Sequence, residues 1–326
     1  MLARFLQWVR RLLLRASALA ALLLALCAPA SLRASPGVSV DQYRPPAGGE
    51  DGMATQTPLV GPHLRLSLRF DLDYSRKPLV YETARGDADS TQLALVRDQL
   101  RLWLGASLSL FDRLLLFAGM PLDLLFQGSA LGLQPTATGF GAGDLALGAR
   151  GLLWGNEVFR LGVQLSLTVP TAAEARETPK VAGDSGVTVL PSLLSELNMG
   201  RVRLDLEAGL RLRRSVSLPA VQVSDQLLFA AALRLPLASE RVWLSAEVFG
   251  STLSADVGRR QTTMIEALLA AKVRVAEELL VGLAASKGLT RGYGVPELRS
   301  VLSFAWLPSL APAPTAANAP AEPVGE

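Results

Sequence analysis

The chain holds few side chains that could do chemistry, and their surroundings argue against most of it. There is one histidine, His63, and one cysteine, Cys27. Neither a Cys/His zinc site nor a disulfide can be built from that pair. Hydrolysis of the Ser/His kind needs a base beside its nucleophile, and His63 stands alone between Pro62 and Leu64. Asp71 with Asp73, and Asp87 with Asp89, offer carboxylates for Ca²⁺. They lack the glycine-turned ligand loop of such sites and read as solvated charges. Gly139-Phe140-Gly141-Ala142-Gly143 superficially matches a phosphate-cradling glycine loop, yet it precedes a strand pattern instead of opening a helix. Arg211-Leu212-Arg213-Arg214 is basic and offers either a contact for lipopolysaccharide phosphate or a solvated surface. The expectation is no catalytic residue, no metal and no cofactor, and hence no enzyme.

The informative feature is the placing of apolar residues. The chain has 326 residues, 50% hydrophobic and 19% charged, with a mean hydropathy of +0.31. Soluble domains carry about 25% charged residues, so this chain is apolar and weakly charged for one, and far too apolar for disorder. Part of the surplus is N-terminal. Arg4, Arg10, Arg11 and Arg15 precede an apolar run from Ala16 to Ala28, followed by small residues at Ala30 and Ala34. A basic stretch, a short apolar stretch and a small-residue cleavage site make a secretory signal peptide, expected over 1–34. An acylated Cys27 and an uncleaved anchor are the rival readings. Cleavage near Ala34 removes five arginines and no acid, taking the net charge from +3 to −2. The basic precursor is therefore no nucleic-acid footprint, and no nucleic-acid partner is expected.

The remainder lies in alternating stripes. In Leu64–Tyr74 and again in Val202–Leu212, every second residue is apolar and its neighbours are largely charged or small. A strand points successive side chains to opposite faces, so each segment has one apolar and one polar face. About twelve such segments occur, near 62–74, 93–110, 113–127, 143–154, 158–169, 187–198, 201–214, 226–238, 241–254, 262–275, 278–289 and 297–307. Soluble strands average about 5–6 residues, whereas a tilted membrane strand needs about 9–11. The links alternate between short (near 112, 156, 199, 239 and 276) and long (75–92, 128–142, 170–186, 215–225, 255–261, 290–296). Short periplasmic turns and long outer loops are the habit of outer-membrane barrels. The expected fold is all-β: a transmembrane antiparallel up-and-down β-barrel of about twelve strands over 62–307, with a cleaved N-terminal signal helix. A disordered periplasmic leader (35–61) precedes it and an Ala/Pro-rich disordered tail (308–326) follows, both termini being periplasmic.

Lipid must then meet the apolar face, because charge on that face costs about 2–4 kcal/mol at the midplane. The lumen is expected to hold Arg65, Arg69, Asp71, Arg101, Asp144, Arg150, Arg160, Arg203, Asp205, Glu207, Arg211, Arg234, Glu247, Glu266, Lys272 and Arg274. Inward Gly105, Gly148, Gly162, Gly209, Gly282 and Ala284 favour open space, while the opposite charges favour closure. Two functions stay open: a passive channel or transporter for small solutes, or a structural barrel closed by Arg–Asp/Glu pairs. Phe304 and Trp306 end the last strand as interfacial aromatics and as a signal for the barrel-insertion machinery. Outer-membrane lipid and lipopolysaccharide are the other expected partners.

Short motifs carry a resemblance. Gly143-Asp144-Leu145-Ala146-Leu147-Gly148-Ala149-Arg150 and Leu167-Thr168-Val169-Pro170-Thr171 resemble strand motifs of a transporter family associated with phenol degradation and of OmpA-type barrels. Gly288-Leu289 with Gly292-Tyr293-Gly294-Val295-Pro296 resembles a late segment of OmpA-type barrels. The resemblance spans roughly 60–307 and implies an outer-membrane barrel of a Gram-negative bacterium. Many such relatives continue through a Pro-rich linker into a peptidoglycan-binding domain; with the sequence ending in such a stretch, no cell-wall anchoring is expected.

Overall fold

A computed structural model describes residues 39, 41–82, 92–128, 140–172, 183–184, 186–217, 222–237, 241–259 and 261–308. The expected signal peptide and almost all of the tail lie outside these residues, as do Asp87 and Asp89. Every named element is a strand. They are β1 (Arg65–Glu82), β2 (Gln92–Leu110), β3 (Leu114–Gln127), β4 (Gly141–Ala142), β5 (Leu145–Gly155), β6 (Phe159–Val169), β7 (Thr188–Asn198) and β8 (Arg203–Arg211). After these come β9 (Val216–Ser217), β10 (Gln222–Val223), β11 (Gln226–Leu237), β12 (Val242–Leu253), β13 (Thr263–Ala276), β14 (Leu279–Gly288) and β15 (Leu298–Trp306). No helix among the described residues is long and apolar enough to cross a membrane, which says nothing of strands.

Twelve strands pair with their chain neighbours, antiparallel throughout, and β1 pairs with β15 to close the barrel. Closure leaves no sheet edge, the condition for placing strands in lipid. Alternation sets the two faces. On β13, Met264, Glu266, Leu268 and Lys272 are buried, while Leu269 is 69% exposed and Val275 58%. Leu193, Leu206, Leu233, Leu244 and Leu283 continue the exposed apolar belt on other strands.

Three boundaries depart from the sequence expectation. β1 and β2 run past the expected strand end as a hairpin, with Tyr81 opposite Leu93. The alternation breaks at Lys77-Pro78, where the ladder shifts register between Arg76 and Val80, so the sequence pattern hides the continuation. Gly141–Ala142 pairs with Leu122 and Asp123 as a strand, so the glycine-rich motif is sheet, with Gly139 outside the described residues. The 212–225 connection contains the small β9–β10 hairpin.

The largest correction concerns the leader. Residues 41–61 are no loose periplasmic extension: they thread the lumen. Tyr43, Met53, Thr55 and Thr57 have no exposed surface. The thread ends beside the short turns, where Leu64 donates its N–H to the Ser109 carbonyl. It begins at Ser39, whose N–H reaches Asp184 at the end of the long connections (2.8 Å). Ser39 therefore lies at the long-connection end of the barrel and Leu307 at the short-turn end. His63 marks the short-turn end. It stacks on Phe111 (5.3 Å between rings), its Nδ1 accepts the Phe111 N–H (3.1 Å), and its own N–H donates to Asp112 (2.6 Å). Phe111 and Asp112 hold φ of +56° and +55°, an uncommon conformation for such residues that these contacts clamp.

Candidate functional site

The lumen is the candidate site, and its chemistry is that of a threaded chain gripped by the wall. The grip has an apolar part and an ionic part. Tyr43, Met53 and Ala54 pack on Ala230, Phe249, Leu268, Ala284 and Val301, inward residues of β11–β15. The Tyr43 ring meets Phe249 edge-on at 6.2 Å, and its hydroxyl donates to the Met53 carbonyl (3.1 Å). The barrel thus has a hydrophobic core on one side, made by the thread.

Five buried wall residues provide most of the ionic part, beside the half-buried Arg274 on Glu50 (2.6 Å). Arg299 on β15 bonds Asp41 (2.8 Å), Asp73 (2.5 Å) and Glu266 (3.1 Å) and lies 5.0 Å from the Tyr43 ring. Arg101 on β2 bonds Asp41 (3.1 Å) and Asp123 (2.8 Å). Arg150 on β5 bonds Asp51 (2.8 Å), Gln56 (2.6 Å) and Gln164 (2.9 Å). Glu247 on β12 accepts three successive backbone N–H groups, from Met53, Ala54 and Thr55, at 2.7, 2.9 and 2.9 Å. Lys272 reaches the carbonyls of Asp51 (2.5 Å) and Gly52 (2.7 Å). Burial alone would raise the Asp41 carboxyl; Arg299 and Arg101 outweigh it and hold it below the usual carboxylate value. Burial likewise opposes Arg150 at Asp51, and the outcome is again a lowered value. Both acids stay ionised, as their partners require. Burial also pushes the Tyr43 phenol well up, helped by the Asp71 charge.

The sixteen charged residues expected in the lumen sort by burial. Arg69, Asp71, Arg101, Asp144, Arg150, Asp205, Glu207, Arg211, Arg234, Glu247, Glu266 and Lys272 are buried in the interior. Arg69 bonds Asp71 (2.7 Å), and Arg234 bonds Asp205 and Glu196. Arg65, Arg160, Arg203 and Arg274 lie half-buried near the short-turn end, where Arg160 pairs with Glu196 and Arg274 with Glu50. Asp73, Asp123, Glu196 and Arg299 also face inward, as alternation places them, although the expected lumen set did not include them. Asp41, Tyr43 and Asp51 escaped that set because no periodicity marks the thread. Asp71 and Asp73 face arginines instead of solvent. Arg213 turns inward onto Asp184, so it is not placed to meet lipopolysaccharide, whereas Arg214 is exposed. Among the described residues no group of His, Cys, Asp or Glu is assembled to hold a metal ion. Phe304 and Trp306 are 40% and 45% exposed on the outer face.

Two of the inward glycines seat the thread: a Cβ on Gly162 would meet Pro58 at 3.0 Å, and one on Gly282 would meet Met53 Sδ at 3.1 Å. Gly148 and Gly209 adjoin wall residues, Phe117 and Ser192 among them, and Gly105 lines the space that remains. Space survives on the other side, between the thread and the β2–β8 wall, as a cavity of ≈ 160 Å³.

The barrel fold is shared with solved structures. The COG4313 outer membrane channel from Pseudomonas putida F1 is similar in fold, with a TM-score of 0.59 at 15% sequence identity over 76% of this chain and 97% of that one. The KdgM porin (TM-score 0.45, 8% identity, covering 74% and 98%) and the NanC porin (0.46, 6%, covering 74% and 97%) match more loosely. No protein-family model matches the chain, and no curated protein sequence matches it. At this identity the likeness is one of fold, and function rests on the lumen itself.

Proposed function

We propose that the protein is an outer-membrane channel for small solutes, whose lumen is narrowed by its own residues 41–61. One observation carries the reading: an exposed leucine belt surrounds a charged interior that still encloses a cavity of ≈ 160 Å³. Lipid accounts for the belt; a barrel that served only as a wall has no use for the cavity. Short turns then face the periplasm and long connections the outside. Phe304 and Trp306 sit at the lipid interface and serve the insertion machinery, and lipopolysaccharide meets the outer belt. The family likeness to OmpA-type barrels and phenol-associated transporters, suggested by the short motifs, belongs to this proposal too.

The second reading is a structural barrel with a closed lumen. The Arg–Asp/Glu pairs of Arg101, Arg234 and Arg299 favour it, because they knit the interior together and two of them tie the thread to the wall. Planar-bilayer recording on refolded chain separates the two. Heat-modifiable migration on a gel first establishes insertion. A well-inserted barrel that passes no current removes the channel and leaves the structural reading.

A further inference from the structure

We propose that the cavity between the thread and the β2–β8 wall is a binding site for a compact organic monoanion, a carboxylate on a small apolar body, held by Arg44 and Arg211. This rests on the channel reading and names the solute class the channel would select.

Two arginines, Arg44 half-buried and Arg211 buried, border the cavity without a full set of partners. Arg44, on the thread, has an enclosed Nε with no hydrogen-bond partner among the described residues. Arg211, at the end of β8, donates from Nη1 to the neutral Gln226 (3.0 Å) and forms no ion pair among those residues. Arg213 is close enough, with Arg44, for its charge to bear on Arg211, and its Nε and Nη1 also lack partners. Like charges gathered out of water call for an anion. Carboxylates already face this cavity, and each has a partner, although Asp71 Oδ1 accepts no hydrogen bond among the described residues. Asp41 is held by Arg101 and Arg299, Asp71 by Arg69, and Asp184 by Arg213. Asp144 accepts the N–H groups of Ala172 (3.1 Å) and Asp184 (2.6 Å). Glu207, whose charge acts on Arg44, accepts from the Gln56 N–H (3.4 Å) and the Ser192 hydroxyl (3.2 Å). The unmet demand is therefore for an acceptor that comes from outside.

A guanidinium matches a carboxylate through paired N–H donors. The rest of the cavity matches an apolar body: Trp103, Phe117 and Leu190 line it, and Trp103 Nε1 is a further enclosed donor without a partner. Its ≈ 160 Å³ compares with the engineered cavity of about 150 Å³ that takes up one benzene molecule. A single ring or a short chain bearing one carboxylate fits in charge and in size.

The test is calorimetric titration of the full-length protein in detergent micelles, with benzoate as probe and benzamide as its neutral isostere. Benzoate is expected to bind once per barrel, with benzamide weaker by about tenfold or more, the worth of one charge-assisted hydrogen bond. Arg44→Gln and Arg211→Gln should each weaken benzoate by a similar factor. Arg44 donates no hydrogen bond among the described residues, so R44Q alone decides the matter if R211Q fails to migrate as a folded barrel. Equal binding of the two probes, or R44Q binding benzoate as the parent does, overturns the proposal, as does an absence of benzoate binding. Benzoate binding by a barrel that passes no current keeps the site and removes the channel. Current without benzoate binding does the reverse.

Discussion

Glu247→Ala should loosen the thread by a calculable amount. The Glu247 carboxylate accepts the N–H groups of Met53, Ala54 and Thr55, and the carboxylate is buried. A hydrogen bond to a charged group contributes about 1.5–3 kcal/mol, so three give a gross figure of roughly 4–9 kcal/mol. The carboxylate already bears a desolvation cost of several kcal/mol, which alanine relieves, while three N–H groups lose their acceptor. Removing one side of a buried charged arrangement costs about 3–5 kcal/mol, and that is the net figure expected. At 1.4 kcal/mol per decade, local release of residues 52–56 becomes roughly two to three and a half orders of magnitude more frequent. Thr55→Cys reports it. Thr55 is fully buried and its hydroxyl has no partner, so the exchange sacrifices no hydrogen bond. With Cys27, the chain's other thiol source, replaced by serine, the labelling rate of the folded barrel reads the opening. Glu247→Gln, which keeps one acceptor oxygen, should fall between. A labelling rate in the Glu247→Ala barrel within a few-fold of the parent would falsify the account of how the thread is held.

Acid should release the thread by another route. The Asp41 and Asp51 carboxyls have folded values below their ordinary ones, so their contribution is present above the unfolded value of about 3.9 and is lost as pH falls through the lowered folded values. Conductance in planar bilayers should therefore rise as pH falls below about 4; a flat profile from about pH 4 to 2.5 argues that these pairs do not hold the thread. Gly282→Leu starts a side chain at a point where even its Cβ would lie 3.1 Å from Met53 Sδ, and overpacking of this kind costs about 1–3 kcal/mol. Faster labelling at Thr55→Cys, with barrel migration unchanged, is the expected result. Leu269→Arg places charge on the outward midpoint of β13, at a cost of about 2–4 kcal/mol. The denaturant midpoint in liposomes should drop accordingly, and an unchanged midpoint would show that this face does not meet lipid.

The barrel was legible because lipid imposes a simple rule on each strand separately. In Val202–Leu212 each outward residue is judged on its own, and no distant partner is needed to tell Leu206 from Glu207. The second half of β1 was not legible, since Lys77-Pro78 interrupts alternation and only the ladder to β2 restores it. The thread fails for a stronger reason. Residues 41–61 are ordered by groups far along the chain, Glu247 and Arg299 among them. Their own composition, rich in Pro and Gly, is that of a linker. Part of the ion-pair lattice was visible in outline, because opposite charges fell on inward faces. Its partners on the thread were not.

The lattice and the thread together change how the two readings of the lumen relate. Buried ion pairs are weak evidence for stability, because desolvation can exceed the Coulomb gain. Here, though, several of the carboxylates belong to the thread: Asp51 is the acid bonded to Arg150, and Asp41 is shared by Arg101 and Arg299. Basic side chains outnumber acidic ones on the inward strand faces, and Asp41, Glu50 and Asp51 against Arg44 make the thread acidic. With the thread seated, the charges nearly cancel and the lumen is closed along β11–β15. With it displaced, Arg150 keeps only Gln164 of its side-chain partners, Lys272 loses both carbonyls, and the wall is left cationic. On the channel reading, how firmly residues 41–61 narrow the lumen is set by contacts such as those at Glu247.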